Sequence, residues 1–207
     1  GPFLILTLSN ADFRAIRYTF TIASASDIII QAGIGSLIDI NGKQLSAAAT
    51  LRCTHFLRDS TALEVTSYKL DLSVGTLRLY FSKEAQTSTV DLENSLRLFN
   101  SSLGGESVTL SNLTIIDEPN VLGYVAPNVT SLLLSLNSGA PLTTREQILL
   151  AHPLASSLTY TYISVRKGFI YDLSRPRNPS KRIAVTASGG TLLSPSALVP
   201  DTIAPTL

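Results

Sequence analysis

Tyr68-Lys69-Leu70-Asp71-Leu72-Ser73-Val74-Gly75-Thr76-Leu77-Arg78-Leu79-Tyr80-Phe81 is the stretch that decides the fold. Tyr68, Leu70 and Leu72 alternate with Lys69, Asp71 and Ser73, and Leu77, Leu79 and Phe81 alternate in the same way with Arg78 and Tyr80. A period of two is the pattern of a strand with one face buried. Gly75 supplies the positive φ that a tight turn needs, so the two runs predict an antiparallel hairpin. The same alternation runs through Ser107 to Ile116, and further strands are expected at Asn128 to Leu136, Thr159 to Val165 and Arg182 to Ala187. Strands separated by polar turns, without alternating helices of equal weight, point to an all-β sandwich.

Composition agrees with a buried core. Of 207 residues, 44% are apolar and only 15% charged, against roughly 25% charged in an ordinary soluble domain, which excludes a disordered chain. The 16 basic and 15 acidic residues leave a formal charge of +1, so the chain as a whole has no pull on nucleic acid. No apolar run approaches the roughly 20 residues of a membrane span. Serine and threonine fill the space left by charge, at 47 residues, and such a hydroxylated surface suits an extracellular scaffold. The absence of Met predicts a processed chain or a stretch of a longer polypeptide.

Two segments break the β pattern. Thr143-Thr144-Arg145-Glu146 is a capping box ahead of Ile148, Leu149 and Leu150, which predicts a short helix ending near Pro153. Ser9-Asn10-Ala11-Asp12 repeats that logic ahead of Phe13, Ile16, Tyr18 and Phe20. The flanks of the two helices also correspond. Phe3 to Leu8 matches Ser131 to Leu136, Asp27 to Ile30 matches Thr161 to Ile163, and Gly35-Ser36-Leu37-Ile38-Asp39 matches Gly168-Phe169-Ile170-Tyr171-Asp172. The turns that follow are Asn41-Gly42 in one copy and Arg175 to Pro179 in the other, an offset of about 133 residues. The repeat divides the chain into the C-terminal half of one unit, residues 1–63, and a nearly whole unit, residues 64–207. Half a sandwich leaves a bare sheet face and unpaired edges, so residues 1–63 are expected to be completed by strands outside this chain, from residues upstream of it or from a neighbouring copy.

These motifs resemble, in order and spacing, a tandem Ig-like or cadherin-like repeat of very large secreted proteins of algae and other protists. Those units open with an Asp-Thr-x-Ala-Pro-x-Leu linker, matched by Asp201 to Leu207, and continue with a strand matched by Tyr68 to Leu72. Gly75-Thr76-Leu77-Arg78-Leu79-Tyr80-Phe81-Ser82 matches their hairpin arm, Leu8 to Ile16 their helix, and Asp39-Ile40-Asn41-Gly42 their turn. Departures occur at Asp172 to Pro176, which lacks the Gly of that turn, and at Leu63, which stands where the linker has Pro. The resemblance implies Ig-like β-sandwich repeats, each with one short helix. It further implies a structural unit of an adhesive, cell-wall or flagellar-hair (mastigoneme) filament, without catalysis, whose partners are other copies or flanking segments of the same polymer.

The chemistry-bearing residues are few. Asn100-Ser101-Ser102, Asn112-Leu113-Thr114 and Asn128-Val129-Thr130 are N-glycosylation sequons, although nine Asn in so hydroxylated a chain yield about two by composition alone. Cys53 has no partner in the chain and is a candidate for an intermolecular disulfide, with a buried reduced thiol as the equal alternative. Calcium at unit junctions, which cadherin-like linkers often hold, would draw on Asp39, Asn41, Asp59 and Glu64, or on Asp117, Glu118, Asp172 and Asp201. Turn formation explains most of those Asp and Asn positions without a metal, and no cofactor is expected. His152 and His55 lack the nucleophile elbow or the setting of a Ser/His/Asp or Cys/His hydrolase. The other class of function is a carbohydrate-binding or adhesion module, against which the absence of Trp counts.

Overall fold

The computed structural model describes residues 28–39, 41–55, 57, 59–116, 128–174, 177–185 and 192–201, with isolated positions 5, 7 and 9. The expected helix near Asn10 to Phe20, the candidates Asp117 and Glu118 and the linker beyond Asp201 lie outside them. Apart from one α-helix and two 3-10 turns, the regular structure of the described residues is β-strand. The chain divides into two compact units, residues 1–60 with 174–176, and residues 61–173 with 177–207.

The first unit contains an antiparallel pair, β1 (Ile29–Ala32) and β2 (Ala49–Arg52). Between them Ile38 bridges Gln44 around the Asp39 to Lys43 turn, where Gly42 has φ +78°.

The second unit is built on the predicted hairpin, β3 (Val65–Asp71) and β4 (Thr76–Gln86), which pair antiparallel around Gly75. Gly75 has φ +76°, and a Cβ there would collide with the Asn137 side chain, so only glycine fits this turn. Asp71 fastens the turn by accepting from the Ser73 hydroxyl at 2.6 Å and the Val74 N–H at 3.0 Å. Those bonds, the Ser73 hydroxyl first, hold its carboxyl below the usual range. A register shift between Val65 and Ser67 adds one residue to β3, which is why Val65 and Tyr68, three apart, both point inward.

The remaining strands form two sheets. β8 (Asn128–Ser135) joins the other side of β4, β7 (Thr114–Ile115) flanks β8, β10 (Tyr171–Asp172) adds to β4, and β11 (Ala197–Val199) lies parallel to β3. The second sheet has β5 (Leu96–Phe99) between β6 (Ser107–Thr109) and β9 (Tyr162–Val165). Leu77, Leu79, Leu132 and Leu134 of the first sheet and Leu96, Leu98, Ile163 and Val165 of the second belong to one hydrophobic cluster. Burial of these side chains, about 1.5–3 kcal/mol each, is the main force holding the unit.

Tyr68 is the exception inside that core. It is fully buried and, among the described residues, its hydroxyl has no hydrogen-bond partner; burial pushes its ionisation far upward. A buried unpaired donor costs about 1–3 kcal/mol. Tyr68→Phe is therefore expected to raise stability by about 1 kcal/mol in urea unfolding, and a loss of stability would mean that the hydroxyl has a partner.

Two sequence expectations change. The run Ser107 to Ile116 is not one strand: β6 and β7 lie in different sheets, and the chain turns between them at Asn112, whose φ is +54°. Asn tolerates that left-handed conformation better than most residues, and the apolar set changes phase there, from Val108 and Leu110 to Leu113 and Ile115. The strand expected at Arg182 to Ala187 reduces, among its described residues, to a bridge between Ile183 and Val165.

The helix α1 (Thr144–Leu150) follows the capping box as expected. Thr143 Oγ1 accepts from the Glu146 N–H at 3.2 Å, and Glu146 Oε2 accepts from the Thr143 N–H at 2.7 Å, which holds the Glu146 carboxyl below its usual range. Ile148 is buried in the core, and Arg145 ties the helix to the turn after β3 by donating to the Leu72 carbonyl at 2.5 Å.

Candidate functional site

The part of the repeat that falls on described residues, the strand and hairpin of each copy, has equivalent backbone bonding. β1 and β9 begin and end 133 residues apart. In the first copy Gly35 N–H donates to Leu45 O (2.9 Å), Leu45 N–H to Leu37 O (2.9 Å) and Asp39 N–H to Lys43 O (2.9 Å). In the second, Gly168 N–H donates to Ser180 O (3.0 Å), Ser180 N–H to Ile170 O (2.8 Å) and Asp172 N–H to Asn178 O (3.0 Å). The offset is 133 on the leading arm and 135 on the returning arm, so the second turn is two residues longer. Gly35 and Gly168 share the left-handed backbone, φ +74° and +79°. Asp39 and Asp172 do the same work: Asp39 Oδ1 accepts from the Lys43 N–H, and Asp172 Oδ1 from the equivalent Asn178 N–H, both at 2.8 Å.

What differs is the cover. Ile163 and Ile170 are fully buried, whereas their counterparts Ile30 and Leu37 are 51% and 46% exposed. In the second unit Ile163, paired with Leu98 of β5, belongs to the hydrophobic cluster shared by both sheets, and Tyr171-Asp172 pairs with β4. Fully buried Asp172 also takes an ion pair from Lys83 of β4 at 2.5 Å, while Asp39 is exposed. The first hairpin therefore presents to solvent an apolar face that the second buries. Leu51, the cross-strand partner of Ile30, lies on the same face and is 62% exposed.

The candidate residues are placed as follows. Asn100 is half-buried at the turn end of the β5–β6 hairpin, beside Glu106, whose carbonyl accepts its N–H. Asn112 is exposed at the opposite end, and Asn128 opens β8 against Gln86. Cys53 is half-buried beyond β2, with its thiol donating to the His55 carbonyl at 2.9 Å. The calcium candidates already have protein partners: Asp39 on the Asn41 and Lys43 N–H groups, Asp172 on Lys83 and Asn178, Glu64 on Lys181, and Asp201 on Arg145 at 2.8 Å. Among the described residues no three His, Cys, Asp or Glu side chains converge as a metal site, and no helix is long and apolar enough to cross a membrane. His55 and His152 are exposed, and His152 follows the end of α1. Lys83, the partner of Asp172, carries no sequence signal of its role, since the two are joined only by the β4–β10 pairing. No family model, curated protein or solved structure matches this chain.

Proposed function

We propose that this chain is a structural repeat unit of an extracellular filament, cell-surface appendage of the mastigoneme kind or adhesive polymer. Its units are Ig-like sandwiches, and it acts through contacts between units and between chains, without catalysis. The observation that carries the reading is the pair of equivalent hairpins, one buried at Ile163 and Ile170 and the other bare at Ile30 and Leu37. An apolar face of this kind on a hairpin whose twin packs against sheet is a surface made for a partner. The partner is another repeat unit, which supplies strands in the place of β4 and β5. Repeats of this type gain stability from each interface with a neighbour, so a long array or filament is their stable form. The hydroxyl-rich surface and the exposed Asn112 sequon support an extracellular setting.

Sedimentation of the isolated chain between 1 and 100 μM tests the reading. The expected result is association that rises with concentration and is lost in Ile30→Asp/Leu37→Asp, whose charges cannot be buried without a partner. A wild-type chain that stays monomeric across that range with its hairpin face bare would contradict it.

A further inference from the structure

The second unit carries a cationic groove that none of the preceding residues explains. It lies on the outer face of the β6–β5–β9 sheet and has a volume of about 500 Å³. Arg97, Arg166, Lys167 and Arg182 line it, and none of its lining residues is acidic. In a chain of net charge +1 this concentrates a quarter of the 16 basic residues in one place. The sheet geometry imposes the clustering. Leu96 and Leu98 face the core, so Arg97 between them must face out, directly opposite Ser164 of β9. The antiparallel bridge between Val165 and Ile183 then sets Arg166 and Arg182 as facing neighbours one residue along.

Facing like charges destabilise a sheet. Asp91 relieves part of this repulsion by pairing with Arg166. Among the described residues, Lys167 and Arg182 have no such partner, and both are exposed. Arg97 lies over Phe99, its guanidinium carbon 5.8 Å from the ring centroid, which holds the fork in place.

We propose that this groove binds an acidic polysaccharide, its carboxylate or sulfate groups received by Arg97, Lys167, Arg182 and Arg166. Guanidinium forks donate two parallel hydrogen bonds to a carboxylate or to two sulfate oxygens, and the hydroxyl of Ser164, opposite Arg97, suits sugar. The ring of Phe99 is the one aromatic side chain lining the groove, too few for the successive stacking platforms that a single-stranded nucleic acid uses. A coat of acidic polysaccharide would bind along an array of such units by many weak contacts in parallel.

Binding to dextran sulfate and to polygalacturonate, with uncharged dextran and an oligothymidylate as comparisons, tests the assignment. At about 0.1 M salt the intact chain is expected to bind both acidic polysaccharides and not dextran. Arg97→Gln/Lys167→Gln/Arg182→Gln is expected to weaken binding by roughly tenfold or more, because three charge contacts are lost. A charge-matched control, Lys69→Gln/Arg177→Gln/Lys181→Gln, should stay within about twofold of wild type, and thermal unfolding checks that both variants are folded. Equal weakening by the two triple variants would reduce the effect to net charge and overturn the groove. Oligothymidylate binding as tight as the polysaccharides, or no polysaccharide binding at that salt, would also overturn it.

Discussion

Asp172→Ala is expected to destabilise the second unit by about 3–5 kcal/mol, measured by urea unfolding at neutral pH. Asp172 is fully buried and its carboxylate has two duties, accepting from the Asn178 backbone and side-chain N–H groups at 2.8 and 3.1 Å and pairing with Lys83 at 2.5 Å. Removing it takes the counter-charge from the Lys83 ammonium, which keeps its bond to the Thr61 carbonyl at 2.5 Å, and frees the Asn178 turn. Against a total stability of about 5–15 kcal/mol for a domain, that loss leaves the unit close to its limit. Asp39, the same residue in the first hairpin, is exposed and, among the described residues, meets turn N–H groups alone, so Asp39→Ala should cost about 1 kcal/mol or less. Replacing both partners, Asp172→Leu with Lys83→Met, should recover much of the loss, since an apolar pair leaves no charge unpaired. An Asp172→Ala loss under about 1 kcal/mol would mean that the pair is not the clasp between β4 and β10.

Ile163→Ala should cost about 2–5 kcal/mol, and Ile30→Ala at the equivalent position of the first hairpin less than about 0.5 kcal/mol in the monomeric chain. Ile163 is fully buried in the cluster formed by both sheets, so truncation removes its contacts and leaves a cavity in that core. Ile30 already meets water over half its surface. The contrast should shrink on association, where Ile30→Ala would weaken the interface. Equal costs in the dilute chain would show that Ile30 is covered within it.

Local chemistry made much of this readable. The β3–β4 hairpin follows from alternation around a glycine that nothing else can replace, and α1 from a capping box whose two hydrogen bonds need only residues 143 and 146. The repeat was legible because Gly35 and Gly168, and Asp39 and Asp172, hold positions that demand those residue types. Other features depend on partners distant in sequence. The apolar set shifts phase at Asn112, from Val108 and Leu110 to Leu113 and Ile115, so the break itself is legible, but which sheet each piece joins is set by distant pairing. The parallel docking of β11 on β3, the Lys83 clasp and the convergence of Arg97, Arg166 and Arg182 are likewise products of pairing between separate segments. A net charge of +1 averages that last cluster away.

Amide hydrogen exchange at 1 and 100 μM tests most directly whether the first hairpin is completed by another unit. Gly35, Asp39, Leu45 and Cys53 donate the bonds that hold that hairpin together, and Gly168, Asp172 and Ser180 donate their counterparts in the second unit. The first set is expected to exchange fast in dilute solution and to gain protection on association, while the second set is protected at both concentrations. Protection of the first set that is already high at 1 μM and unchanged at 100 μM would contradict it.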